Sequence, residues 1–182
     1  GVVVTHGTDT LEETAYLLDL LIDNEKPIVV VGAMRNHSEL GYDGASNLSA
    51  AICTAMSDKA KNKGVLVVMN NEVNAASQVT KTNTLSLDTF KSPEFGPLGI
   101  VDNDEVIFYR DIIKRQLIVT DRIENKVALI KTAPGMESDI LAFYMDSGYK
   151  GIVIEALGRG NVPPKMMTGI ERAIKINMPD RK

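Results

Sequence analysis

Gly1-Val2-Val3-Val4-Thr5-His6-Gly7-Thr8-Asp9-Thr10-Leu11-Glu12-Glu13-Thr14-Ala15 opens the chain and decides its class. The leading residues are apolar and mostly β-branched, the pattern of a strand buried on both faces. The polar stretch that follows, with its glycine, has the composition of a turn. From Leu11 onward, Ala15, Leu18 and Ile22 recur at helical spacing. Thr10 and Glu13 stand in the T-x-x-E relation of a capping box, which starts the helix at Leu11. A strand passing through a polar turn into a helix is the unit of parallel sheets with flanking helices. Open α/β sheets hold their ligands at the carboxyl ends of strands. The free amides of a helix start favour negative charge there. A turn that crowds two hydroxyls and a carboxylate at this place suits a reaction passing through an oxyanion.

The alternation continues outward from this stretch. Pro27 closes the first connection, and Ile28-Val29-Val30-Val31 reads as the next strand, ended by Gly32-Ala33. After a polar loop over 35–44, a helix is expected over 45–61 with Leu48, Ile52, Ala55 and Met56 on its apolar face. Gly64 opens a third strand, Val65-Leu66-Val67-Val68-Met69. Residues 70–100 are rich in Asn, Thr and Ser and lack periodicity, and such long irregular stretches are more often functional than idle. Asp102-Asn103-Asp104 reads as a turn joining strands at 98–101 and 105–109, a hairpin on the sheet's edge. Residues 110–126 form a linker of mixed charge. Alternation resumes at Val127-Ala128-Leu129-Ile130, with a helix over 137–147, a strand at Gly151-Ile152-Val153-Ile154 and a helix opened by Pro163-Pro164.

The fold class is therefore α/β: a mostly parallel sheet flanked by helices, with a β-hairpin and the start of a second, smaller α/β domain. Residues 1–109 form the first domain, 110–126 the linker and 127–182 the second domain. Gly1 already lies inside a strand, and Met178-Pro179-Asp180-Arg181-Lys182 follows a helix where a further strand is due. We expect an internal piece of a longer protein.

Bulk properties narrow the partners. The chain has 182 residues, 44% of them apolar, and a net charge of −4 without a basic stripe, which excludes nucleic acid as the expected partner. No apolar run is long enough to span a bilayer, so no membrane partner is expected. Cys53 is the one cysteine, which rules out an internal disulfide and favours the cytoplasm. His6 and His37 lie far apart with no Cys or carboxylate at metal-ligand spacing, and no metal is expected. His6 reads as a local turn contact. Gly158-Arg159-Gly160 lacks the full dinucleotide fingerprint and reads as a sharp turn. Cys53 reads as a buried small hydrophobe, Met166 and Met167 as core, and Asp43 with Gly44 as a helix start.

Two segments carry chemistry. Thr8 and Asp9 are the residue types that cap helices. Because Thr10 takes that role with Glu13, they remain spare polar groups in the turn. Lys81, within Val79-Thr80-Lys81-Thr82-Asn83-Thr84, follows the third strand on the same carboxyl edge. A lysine between threonines is usually a solvated surface residue. Should the two loops meet, it stands beside Thr8 and Asp9. A threonine hydroxyl is a poor nucleophile and needs a base. A partly desolvated lysine can be that base, with Asp9 orienting it. A hydroxyl–amine–carboxylate relay of this kind has the logic of the known triads.

These motifs, in this order, resemble the bacterial-type L-asparaginases. The resemblance rests on Thr5–Ala15 as quoted, on Val31-Gly32-Ala33-Met34-Arg35 and on Asp43-Gly44 with Asn47-Leu48. It continues through Val79–Thr84, Phe90-Lys91-Ser92 with Gly96-Pro97-Leu98-Gly99, and Gly151-Ile152-Val153 with Gly158-Arg159-Gly160-Asn161. It implies hydrolysis of L-asparagine to L-aspartate and ammonia with some glutaminase activity, without metal or cofactor, in close dimers paired into homotetramers. It makes Thr8, Asp9 and Lys81 catalytic. Asp9 would also meet the substrate's α-ammonium group, and Ala33 would line the pocket with its backbone carbonyl. Asn161 would bind substrate in the neighbouring subunit's site. The family's first catalytic threonine and the serine loop that holds the substrate α-carboxylate have no counterpart in this sequence, so the isolated chain is expected to be inactive. Two alternatives stand beside this: the glutamine-hydrolysing subunit of a tRNA-dependent amidotransferase, and a non-catalytic α/β amino-acid-binding module.

Overall fold

The computed structural model describes residues 1–112 and 114–177, so the expectation about 178–182 lies outside the described residues. They divide into two compact units, Gly1–Thr120 and Asp121–Lys182. In the first, β1 (Val2–Thr5), β2 (Ile28–Val31) and β3 (Val65–Met69) pair in parallel. β4 (Glu72–Ala75), β7 (Gly99–Asp102) and β8 (Glu105–Phe108) extend the same sheet antiparallel, in the order β1-β2-β3-β4-β7-β8. β5 (Thr80–Lys81) and β6 (Phe90–Lys91) form a separate two-stranded ribbon. Helices α1 (Leu11–Leu21) and α2 (Gly44–Met56) pack on the sheet.

β3 is buried at all five positions, as a central strand covered on both faces should be. β1 departs from that expectation. It ends the sheet order among the described residues, and Val2 is 54% exposed while Val3 and Val4 are half-buried. β4 lies within the stretch expected to be irregular. Asn70 and Asn71 both adopt left-handed φ, of 51° and 60°, which turns the chain directly back along β3. The expected hairpin is present on the edge, with Asn103 and Asp104 at φ of 44° and 64°.

The helix after the second strand ends at Met56, and a short 3₁₀ turn, Asp58–Ala60, follows it. Of the expected face, only Ala55 is buried. Leu48, Ile52 and Met56 are exposed, while Ala50, Ala51, Thr54 and Ala55 are buried against the sheet. Small residues let the helix approach the strands closely, and the Thr54 hydroxyl is satisfied by the Ala50 carbonyl at 2.9 Å. Cys53 is only partly buried. Its Sγ donates to the Asp104 carbonyl at the hairpin tip.

No strand or helix occurs over 109–126 among the described residues. Even so, Arg115 is anchored on the first unit. Its Nε donates to Asp19 Oδ1 at 2.9 Å, and its Nη2 reaches the carbonyls of Asp19 and Ile22. In the second unit, β9 (Val127–Lys131) and β10 (Gly151–Glu155) pair in parallel beside α3 (Asp139–Asp146) and α4 (Met167–Asn177). Met166 is fully buried with Ile130 and Leu141. Met167 is 44% exposed, contrary to the expectation that both methionines pack. No helix among the described residues is long and apolar enough to cross a membrane.

Candidate active site

The site begins where β1 stops. His6 N–H donates to the Val31 carbonyl at 2.8 Å, one step beyond the last paired residue, and the chain then turns into α1. The His6 ring holds that turn together: Nδ1 donates to the Gly7 carbonyl at 2.7 Å, and Nε2 meets the Thr14 hydroxyl at 3.0 Å. The capping box does not form. Thr10 precedes α1, but its side chain makes no cap bond.

The structure brings Thr8, Asp9 and Lys81 together. Lys81 Nζ donates to Thr8 Oγ1 at 3.0 Å and to Asp9 Oδ1 at 3.3 Å, across more than seventy residues of chain. The Lys81 side chain is 18% exposed and that of Asp9 98%. An ion pair with so open a partner adds little to stability.

Sequence reasoning missed Glu12. Its carboxylate accepts from the Thr80 hydroxyl at 3.1 Å and from the Lys81 backbone N–H. The only local signal was a pair of acidic residues at the helix start, of which a capping box needs one. The rest of the lysine loop is built by its own polar groups. Thr82 N–H and hydroxyl both donate to the Thr89 carbonyl, at 2.9 and 2.8 Å, and Asn83 N–H donates to the fully buried Thr89 hydroxyl at 2.6 Å.

Ala33 sits at the carboxyl end of β2 and lines a cleft of about 360 Å³ with Thr5, His6, Gly7 and Tyr42. Its neighbours are clamped. Asn47, 2% exposed, donates to the Gly32 carbonyl at 3.1 Å and accepts from Asn70 N–H at 2.9 Å, tying the ends of β2 and β3. Asp43 occupies the expected position before α2, yet its carboxylate does not cap that helix. It accepts instead from the Met34 and Arg35 amides at 3.0 and 2.9 Å and from Asn47 Nδ2 at 2.9 Å. Burial pushes the Asp43 carboxyl up, but these bonds together outweigh it and hold the group below its ordinary value.

Asn161 belongs to the second unit. Its backbone bonds twice with Leu157, each at 2.8 Å, around a turn where Gly158 and Gly160 take φ of 52° and 111°. Those two glycines explain the Gly-Arg-Gly sequence without a phosphate. Among the described residues, no group of three His, Cys, Asp or Glu side chains could hold a metal ion.

The model of the family "Asparaginase, N-terminal" matches residues 1–114, and that of the "Glutaminase/Asparaginase C-terminal domain" matches 126–179. An L-asparaginase of Bacillus licheniformis is 42% identical, over 96% of this chain and 54% of its own length. L-asparaginase 2 of Escherichia coli is 39% identical, over 96% of this chain and 52% of its own. A glutamyl-tRNA(Gln) amidotransferase subunit of Methanococcus maripaludis is 36% identical, over 98% of this chain and 46% of its own. The chain thus spans about half the length of the curated relatives it matches. With its lysine, threonine and aspartate gathered on the carboxyl edge of the sheet and both family models matched in order, the chain belongs to the asparaginase family.

Proposed function

We propose that the protein carrying this chain hydrolyses the side-chain amide of L-asparagine, giving L-aspartate and ammonia, with a minor activity on glutamine. One observation carries the reading: Lys81 Nζ lies 3.0 Å from Thr8 Oγ1 and 3.3 Å from Asp9 Oδ1. Once that nitrogen is neutral, the contact reverses and the threonine proton passes to it. The Thr8 oxygen, directly or through a water it activates, then attacks the amide carbon. Amides of the turn before α1 stabilise the oxyanion. The proton held on Lys81 leaves with the departing nitrogen as ammonia, and water supplies the oxygen of the new carboxylate. Asp9 orients the lysine and receives the substrate's α-ammonium group, while Ala33 lines the pocket beside them. No cofactor enters this scheme.

In the assembled protein, a dimer of close dimers, Asn161 serves the neighbouring subunit's site. The single cysteine is the ground for proposing the cytoplasm. The isolated chain is proposed to be inactive, because the family's first catalytic threonine has no counterpart in it.

Lys81→Met in the full-length protein tests the relay. Loss of a general base costs about 10²–10⁴-fold in turnover, with unchanged circular dichroism. Unchanged ammonia release from asparagine ends the reading. The amidotransferase relative favours a second reading, glutamine hydrolysis in the service of such a transferase. One methylene separates the two substrates, worth about 10–200-fold in a pocket. A kcat/KM higher for glutamine than for asparagine selects it.

A further inference from the structure

We propose that Glu12 is the positioning residue for Lys81, a role that rests on the relay reading above. β5, which carries Lys81, is only two residues long and pairs with β6 on one side alone. So short a ribbon is a weak anchor for a lysine with four rotatable side-chain bonds. Glu12 supplies the missing restraint. It accepts from the Thr80 hydroxyl and the Lys81 N–H at the base of the reacting side chain. Glu12 also lies in the first turn of α1, next to Leu11, which is fully buried, and directly follows the turn bearing Thr8 and Asp9. One rigid piece of chain therefore holds the hydroxyl, the carboxylate and, through Glu12, the backbone of the lysine. The spacing of Lys81 Nζ from Thr8 is set by that piece and not by the loop.

Reach, not charge, is what this role requires. In Glu12→Gln the amide oxygen accepts from Lys81 N–H, and the amide nitrogen donates to the Thr80 oxygen once its hydroxyl turns. Glu12→Asp keeps the charge but falls a methylene short. In the full-length protein we expect kcat for asparagine to fall roughly 10–100-fold in Glu12→Asp with little change in KM, the scale of a misplacement near 1 Å. Glu12→Gln should stay within about threefold, since an interaction conserved in geometry conserves transition-state stabilisation. Wild-type kcat in Glu12→Asp overturns the proposal, as does the reverse order of the two variants or an effect confined to KM. Should Glu12→Asp fail to fold, Thr80→Val removes one donor without a charge. A partial loss of kcat in it supports the role, and none overturns it. Lys81→Met separates the two levels. If it stays active, the relay reading falls. If it is inactive while Glu12→Asp is fully active, only the positioning role falls.

Discussion

Asn47 Nδ2 stands 3.1 Å from the Gly32 carbonyl oxygen, a bond that ties the first turn of α2 to the end of β2. The same side chain accepts from Asn70 N–H at 2.9 Å, where β3 ends. Two strand ends that border the site are thus held by one buried amide. No other residue type offers donor and acceptor at this reach in so compact a shape.

Asn47→Ala tests that clamp. It leaves the Gly32 carbonyl and the Asn70 amide, at a partly buried place, without their partner, at about 1 kcal/mol for each lost bond. Urea unfolding should show a lower midpoint with an unchanged slope. Asn47→Asp should also destabilise, because a carboxylate cannot donate to Gly32 and sits beside the Asp43 carboxylate. A midpoint equal to the wild type in both variants rejects the clamp.

Asp43 sets an acid-side dependence. Its carboxyl is held below the ordinary 3.8 in the folded protein. The unfolded chain therefore takes up the proton first as pH falls. The stabilisation is fully present above the unfolded value and is lost as pH drops through the folded one. Asp43→Asn removes this contribution. The stability gap between the two proteins should be widest near neutral pH and shrink below about pH 4. A gap that grows on acidification contradicts the assignment.

The parallel half of the sheet and the convergence of Lys81 on Thr8 were both legible. Val65–Met69 is apolar throughout, and Thr8 follows β1 on its carboxyl side. The path to Lys81 differs from the expected one: β4 runs back along β3, so the lysine's loop leaves from the opposite edge of the sheet and returns to meet Thr8. What escaped was decided by tertiary partners. The T-x-x-E pattern points to Glu13, but a partner nearly seventy residues away uses Glu12. Size and hydrophobicity assign the larger apolar residues of α2 to the core. Close packing on the strands keeps Ala55 of that face, adds Ala50 and Ala51, and leaves Leu48, Ile52 and Met56 outside. β4 escaped although Asn70-Asn71 carried the signal, since paired left-handed asparagines are a hairpin turn.

The Asp19–Arg115 pair joins the segment after β8 to α1. The Asp19 side chain is 6% exposed and that of Arg115 23%. Asp19 Oδ1 also accepts from Val65 N–H at 2.9 Å. Arg115→Met strands a buried carboxylate, and breaking such a pair costs about 3–5 kcal/mol. Hydrogen exchange at Ile118 N–H, which donates to the Leu20 carbonyl at 2.7 Å, should speed up in parallel. Arg115→Lys should fail to restore either, because an ammonium cannot reach a carboxylate and two carbonyls as a planar fork does. Full restoration by lysine shows that charge alone is at work.

In the full-length protein, Gly32→Ala carries the test from packing into turnover. A Cβ there stands 2.6 Å from the His6 carbonyl oxygen and 3.2 Å from both Thr8 Cγ2 and Leu11 Cδ1. The closest atom is backbone, which cannot swing aside as a side chain does, so the turn carrying Thr8 must shift. Overpacking of this kind costs about 1–3 kcal/mol, and a misplaced Thr8 should lower kcat by up to about 10²-fold. Gly96→Ala is the matched control. Its φ of +72° strains any side chain, yet no atom lies within 4 Å of the added methyl. That variant should lose about 1 kcal/mol and keep its turnover. Equal loss of turnover in the two proteins means that stability, not the placement of Thr8, limits the reaction.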